Sequence, residues 1–413
     1  MSARPGPLGP PVQAGSTPGP LNPLLVGPGE YPFVTLDRKR EELAPADLPV
    51  INFSIGDPRE ETPAFIRETL ARAIPTVSSY PAMAGQPELR AACARWAARR
   101  FGVTLDPETQ LLPANGTKEA VFLLALAVVG RDGATTRDTV VIPSPAYPVY
   151  EAGARFAGAR VHLAPLSSED AWRFDPARVP DEVWARTALL WLNSPHNPTG
   201  AVIRREGLER IATLARRHGF WVGADEAYAE LYFDAPPPSM LEFGTENVIA
   251  FHTLSKRSAM TGYRSGFMAG DERLIAALRR LRPNVGVATP DFIQTAAIAA
   301  WNDDRHTADQ RARYAAKRAL FMDYFARNGF HIEASEATFY LWVRAPRAPG
   351  ARGGGVADDV AFVERLLGLG LVSLPGSYLG PGGGGYVRWA LVPTLEQCRE
   401  AIARLEAAGV AGA

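Results

Sequence analysis

Four short apolar runs in the middle of the chain, Thr139 to Ile142, Ala188 to Leu192, Phe220 to Ala224 and Val248 to Phe251, are each followed by a loop and then by residues at helical spacing. Unbroken apolar runs of this length suit strands buried on both faces. Their alternation with helices predicts an α/β unit around a mostly parallel sheet. The helical faces are legible too. Leu89, Cys93, Trp96 and Ala97 lie on one apolar face, and Tyr314, Phe321 and Phe325 form a stripe that stops at Asn328-Gly329. Thr394 and Gln397 have capping-box spacing ahead of Leu395, Cys398, Ile402 and Leu405. The C-terminal third has a different spacing, which predicts a second, smaller α+β domain. Both cysteines, Cys93 and Cys398, fall on apolar helical faces and read as core.

Composition removes whole classes of function. A length of 413 residues predicts two to three domains. Forty-four basic and 44 acidic residues cancel to zero net charge, so there is no electrostatic footprint for nucleic acid and no polybasic surface for a membrane. The longest apolar run, Ala120 to Val129, is about half of the roughly 20 residues a spanning helix needs. No signal peptide is visible, two cysteines make no disulfide framework, and a cytoplasmic location is expected. The six histidines lack paired spacing, so no metal site is expected. Residues 1–30 hold eight prolines and six glycines and are expected to form an unfolded tail, with order beginning near Tyr31. Two further stretches read as loose: Ala348 to Gly355, and Gly380 to Gly385 ahead of the apolar run Tyr386 to Leu391. Phe220 to Glu226 looks like a Walker B strand, but no Gly-x-x-x-x-Gly-Lys-Ser/Thr occurs, which excludes an NTPase. Gly380 to Gly385 fits Gly-x-Gly-x-x-Gly yet precedes a strand instead of opening a helix, which excludes a dinucleotide site.

In an open parallel sheet, ligands bind beyond the carboxyl ends of the strands. Leu111-Leu112-Pro113 leads to Asn115-Gly116-Thr117-Lys118 at a helix start. The other strand ends lead to Asn193 through Gly200, to Asp225-Glu226-Ala227-Tyr228, and to Thr253-Leu254-Ser255-Lys256 with Gly262 and Arg264 beyond. One edge thus gathers donors for an anion, a carboxylate, a phenol and an amine, a set suited to an anionic cofactor with a ring nitrogen. Only four of the 44 basic residues are lysines: Lys39, Lys118, Lys256 and Lys317. Lys39 and Lys317 read as solvated, and Lys118 opens a helix. Lys256 alone follows a buried strand, where desolvation favours the neutral amine that Schiff-base chemistry requires. Taken singly, Lys256 could equally be a strand-end residue reaching for solvent, and Asp225 a helix cap.

Ser255-Lys256, followed by Gly262, Arg264 and Gly266, resembles the lysine signature of the class I/II aminotransferases, pyridoxal-phosphate enzymes of fold type I. Asn197-Pro198-Thr199-Gly200 and Asp225-Glu226-Ala227-Tyr228 resemble that family's other anchors, in the same chain order, and the likeness runs from about Tyr31 to the last helix. The resemblance implies a large domain over 61–304 with a mostly parallel seven-stranded sheet flanked by helices. It implies a small α+β domain built from 31–60 and 305–413. It further implies pyridoxal 5'-phosphate joined to Lys256, with Asp225 on the ring nitrogen and Asn197 and Tyr228 on the phenolic oxygen. The Asn-Pro bond after Asn197 is often cis in that family.

By the same likeness, the phosphate falls to Gly116, Thr117, Lys118, Thr253, Ser255 and Arg264, with Tyr147 stacked on the ring. Tyr80 is implied to reach across a homodimer interface to the phosphate. Arg388 and Gly56 are implied to bind the substrate α-carboxylate. The implied reaction is a ping-pong exchange between an amino acid and a 2-oxo acid such as 2-oxoglutarate. A C–S lyase on the same fold, or an aspartate, alanine or aromatic aminotransferase, is an alternative. Ser54 to Leu70, Asn115 to Ala120, Phe251 to Asp271 and Thr338 to Val343 resemble the succinyldiaminopimelate aminotransferases of lysine synthesis. His196 stands where many relatives have Gly, and Arg257 and Arg282 are candidates for a distal carboxylate.

Overall fold

In the computed structural model, which describes residues 21–26, 32–130, 136–286, 288–347 and 357–412, each of the four apolar runs is a strand. In chain order the strands are β1 (Ile51–Asn52), β2 (Leu111–Ala114), β3 (Thr139–Ser144), β4 (Arg160–Pro165), β5 (Thr187–Asn193), β6 (Trp221–Asp225) and β7 (Val248–Thr253). They continue with β8 (Gly266–Gly270), β9 (Ile332–Glu333), β10 (Tyr340–Arg344), β11 (Leu371–Val372), β12 (Leu374–Pro375) and β13 (Tyr386–Ala390). Seven of them form one sheet in the order β2-β8-β7-β6-β5-β3-β4. Every neighbouring pair is parallel except the two that involve β8. The sheet is mostly parallel, as the sequence pattern predicts, and seven-stranded, as the family resemblance implies.

Side chains alternate across this sheet and build a core on each face. Val141, Leu190, Val222 and Ala250 join one apolar cluster, whereas Val140, Leu189, Trp191 and Ile249 join the other. The helix Pro87–Phe101 covers the first face with Leu89, Cys93 and Trp96, and the helix Thr117–Val128 covers the second with Ala120, Val121 and Leu124. Strand β8 comes so close to β7 that a Cβ at Gly270 would lie 1.9 Å from the Val248 carbonyl oxygen, and Gly270 also has φ +151°. Glycine is therefore required there.

A second sheet, β12-β13-β10-β9, is antiparallel throughout. The helix Arg305–Arg327 lays Phe321 and Phe325 against Trp389 of β13, and the last helix, Leu395–Ala407, carries the predicted capping box between Thr394 and Gln397. Cys93 and Cys398 are buried. No described helix is long and apolar enough to cross a membrane.

Several expectations need correction or fall elsewhere. Most of the 1–30 tail and all of 348–355 lie outside the described residues. The glycine run 380–385 is not loose: Ser144 Oγ donates to the Pro381 carbonyl at 2.8 Å, and the Asp359 carboxylate accepts from the amides of Ser377 and Gly385. Lys39 is not free in solvent but pairs with Glu364. Lys317 is not solvated either. Its side chain is 2% exposed and forms an ion pair with Glu60, 257 residues away, with Tyr314 beneath the ammonium. Most charged residues of its helix are exposed, but Lys317 itself is covered by the segment that carries Glu60 and leads into the cavity described below.

Removing one partner of a buried ion pair weakens the hold on the other charge, and Arg313, 3.6 Å from Glu60, compensates only in part, so Lys317→Ala is expected to destabilise the chain by about 2 kcal/mol. The urea midpoint measures this. The double change Lys317→Met with Glu60→Leu should recover most of the loss, because an apolar pair of similar volume is often neutral.

Candidate active site

Because β3, β5, β6 and β7 are parallel, their carboxyl ends share one edge. The reversed strand β8 starts at that same edge, which delivers Arg264. A cavity of about 460 Å³ opens there. Of the residues assigned to cofactor or α-carboxylate, all line it except Tyr80 and Gly116. Tyr80 is 89% exposed and lies away from the cavity.

Strand β5 ends in Asn193, which pins the following loop to β6. Its amide donates to the Asp225 carbonyl at 2.8 Å, and its Oδ1 accepts from the Asn197 amide at 2.8 Å. The Asn197–Pro198 bond is cis. His196 is buried inside this loop, with its ring nitrogens 2.8 Å from Thr199 Oγ1 and 3.1 Å from the Pro145 carbonyl. Burial holds its pKa down at about 4, so it is a neutral spacer within the loop.

Strand β6 delivers Asp225. Its carboxylate accepts from Tyr150 Oη at 2.7 Å and from the Ala227 amide at 3.2 Å. Burial raises its pKa, and the bond from Tyr150 opposes that rise. At the end of β7, Thr253 caps a single helical turn by accepting from the Ser255 amide at 3.1 Å. That turn presents Lys256, whose ammonium donates to the Gly56 carbonyl and stands 5.7 Å from the centre of the Phe339 ring. Burial lowers the Lys256 pKa to about 8, with Arg264 and Arg388 pushing the same way and Asp57 and Asp225 opposing.

At the other end of the cavity, Gly116 has φ +70° and precedes the helix Thr117–Val128. A Cβ on Gly116 would sit 2.3 Å from Arg264 Nη2, so the loop and the guanidinium are packed tightly. Arg264 is held by the carbonyls of Thr261 at 2.9 Å and Asn115 at 3.3 Å. Backbone N–H groups of a helix start together with an arginine form a favourable seat for a dianion.

Arg388 comes from β13 and is 3% exposed. It donates to Asn197 Oδ1 at 2.7 Å and to the Ser54 carbonyl at 2.5 Å, and its guanidinium lies 4.5 Å from the centre of the Tyr340 ring. Its Nε has no partner among the described residues. A buried guanidinium with an unused donor suits a carboxylate guest.

Among the polar lining residues, sequence reasoning gave no role to Asp57, Tyr150, Asn193, Thr261 and Tyr340. Tyr150 follows Tyr147 by three residues, a spacing that could have flagged it. Tyr340 lies in the Thr338–Val343 stretch noted for its likeness, but a role for it comes only from its 3.0 Å contact with Tyr228 Oη. The two arginines proposed for a distal carboxylate are wrong. Arg257 is sandwiched near Trp96 and Trp301 and bonded to the Ala300 carbonyl and Asp304. Arg282 is bonded to the Pro113 carbonyl and Glu119. Neither lines the cavity.

Residues 49–405 match the family described as aminotransferase class I and II. The chain is similar to the LL-diaminopimelate aminotransferase of Gloeobacter violaceus, at 38% identity over 388 residues, 92% of this chain and 96% of that one. Among solved structures it is similar to an aminotransferase from Neisseria meningitidis, with a TM-score of 0.85 and 32% identity over 94% of this chain and all of that one. It is also similar to a probable N-succinyldiaminopimelate aminotransferase from Thermus thermophilus, with a TM-score of 0.82 and 31% identity over 91% of this chain and 99% of the other.

An amine with a pKa of about 8 is half neutral at that pH, whereas an ordinary lysine is then almost fully charged. Trinitrobenzenesulfonate is therefore expected to modify Lys256 ahead of the other three lysines at pH 8. Its rate should rise with pH and level off above the pKa. Peptide mapping after brief exposure checks the order.

Proposed function

The chain belongs to the class I and II aminotransferases, and from that membership we propose that it moves an α-amino group from an amino-acid donor to 2-oxoglutarate in two alternating half-reactions. The observation that carries this reading is one amine, Lys256 Nζ, poised to lose its proton near pH 8 in the same cavity as the Asp225 carboxylate and the Arg388 guanidinium.

The residues present suit pyridoxal phosphate, the cofactor on which the family generally depends. The glycine pinch at 116, the helix start behind it and Arg264 form the anion seat, with the hydroxyls of Ser255 and Thr253 beside it. Pyridoxal phosphate, when bound, supplies an aldehyde for the amine and a ring that accepts the electron pair left at the substrate α-carbon. Asp225 keeps a proton on the ring nitrogen, and Tyr150 fixes the orientation of its carboxylate. Asn197 and Tyr228 serve the phenolic oxygen, and Tyr147 covers a ring face. Arg388 takes the α-carboxylate in a fork, assisted by the backbone at Gly56. Lys256 Nζ would take the proton from the substrate α-carbon and pass it to the cofactor's former aldehyde carbon, with the same two transfers reversed in the other half-reaction.

The remaining assignments complete the proposal. Residues 61–304 carry the cofactor, and 31–60 with 305–413 carry Arg388. Tyr80, so exposed in one protomer, completes the phosphate seat of a second copy in a homodimer. With Arg388, Arg264, Asp225 and Lys256 committed, the charged side chains left in the cavity lining are Asp57 and Lys118, the latter serving the anion seat through its backbone N–H, one of each sign. A donor whose far end bears both an ammonium and a carboxylate matches that pair. A succinylated far end carries no cation and does not. Free LL-diaminopimelate is thus preferred here to its N-succinyl form, in line with the name of the Gloeobacter relative.

Lys256→Ala is expected to abolish turnover. Asp225→Ala should cut the rate by on the order of 10² or more, since the ring loses both its proton and its orientation. Glutamate formation from 2-oxoglutarate measures both. A screen of LL-diaminopimelate, its N-succinyl form, aspartate, alanine and aromatic amino acids tests the donor, with free LL-diaminopimelate expected to give the highest kcat/KM. Product formation without any 2-oxo acid would indicate a lyase instead.

A further inference from the structure

Strands β6 and β7 run side by side beneath the cavity with Asp225 opposite Phe251. Successive side chains point to opposite faces. Asp225 and Thr253 line the cavity, so the adjacent residues, Glu226 and His252, turn into the layer beneath it. There the His252 ring packs 4.9 Å from Trp96, 5.6 Å from Phe101 and 5.2 Å from Phe267, measured between ring centres. One oxygen of Glu226 accepts from the Met240 amide at 2.7 Å. The other, Oε2, lies 3.4 Å from His252 Nε2, and neither atom has a hydrogen-bond partner among the described residues. Both side chains are buried, at 2% and 4% exposure.

The charges that face this pair decide how it is protonated. Arg100 lies over Phe101 and is paired with Glu230, and Arg257 is held by the Ala300 carbonyl and Asp304. Glu230 is further engaged by Trp96 and Arg311, and Glu242 caps the turn at Ser239. Both arginines oppose a charged imidazole. Each already has its own anion, so neither provides the contact that a buried carboxylate would need. Burial pushes the Glu226 carboxyl up to about 8 and the His252 imidazole down to about 3. One arrangement satisfies both orphan atoms without burying a charge.

We propose that Glu226 is protonated and that its carboxyl O–H donates to Nε2 of His252, forming a neutral couple that ties the ends of β6 and β7 together and sets the spacing of Asp225 and Thr253 above it. Glu226 and His252 are positioning residues, because neither reaches the cavity. The location of the proton is independent of the cofactor assignment; only the effect on cofactor affinity rests on that reading.

The experiment pairs two measurements on the purified chain. The infrared difference between the wild type and Glu226→Gln at pH 7 is expected to contain the C=O stretch of a protonated carboxyl group. Absorbance titration with pyridoxal phosphate then compares Glu226→Gln, which keeps a neutral donor, with Glu226→Leu, which keeps none. Glu226→Gln should bind within about threefold of the wild type, and Glu226→Leu about tenfold more weakly. A carboxylate band in place of the acid band would overturn the proposal, as would equal affinities in the two variants. A wild-type chain that takes up no pyridoxal phosphate would refute the cofactor reading, and the infrared result would still decide the couple.

Discussion

Three backbone carbonyls within four residues hold the two halves of the site in register. The Phe53 carbonyl accepts from the Ala390 amide at 2.7 Å, the Ser54 carbonyl from Arg388, and the Gly56 carbonyl from Lys256. The amine at the edge of the large sheet and the guanidinium on the small sheet are thus tied to one short segment. That segment is itself anchored through β1, which pairs with β11, and through the ion pair of Glu60 with the buried Lys317. A side chain at Gly56 would collide with the Tyr340 hydroxyl, so the segment is pressed against β10 as well.

The electrostatics of the cavity follow from that packing. Arginines stay charged in any protein environment, whereas a desolvated lysine yields its proton readily. A chain with 44 basic residues but only four lysines has three in roles where charge is tolerated: an ion pair with Glu364, an ion pair with Glu60, and an exposed helix start. The remaining one is confined by burial and by two neighbouring guanidinium groups. Asp225 is pushed the opposite way by the same burial and is restrained by Tyr150.

The large sheet was legible because strands buried on both faces must be apolar throughout, as β3, β5, β6 and β7 are. Strand β4 escaped notice for the converse reason. It lies at the sheet edge, most of its residues are at least partly exposed, and it carries no apolar run. Strand β8, Gly-Phe-Met-Ala-Gly, is hidden by its terminal glycines, which its close approach to β7 demands. Within the site, residues that follow strand ends could be found by position. Tyr340 could not, since its relevance depends on a contact with Tyr228 across 112 residues of chain. Arg257, Arg282 and Lys317 show the limit of reading charge from sequence. A charged residue near a site can belong to the packing behind it, and a lysine on a charged helix face can be covered by a segment far away in the chain.

The bond from Arg388 to Ser54 spans 334 residues, and the one from Lys256 to Gly56 spans 200. Contacts this distant form late, because chain closure must precede them. On a ribosome, the parallel sheet can be fully synthesised while the cavity still lacks Arg388. The pocket therefore matures last, after nearly the whole polypeptide has emerged, and a chain that stops before β13 lacks both Arg388 and the Trp389 that packs the core beside it.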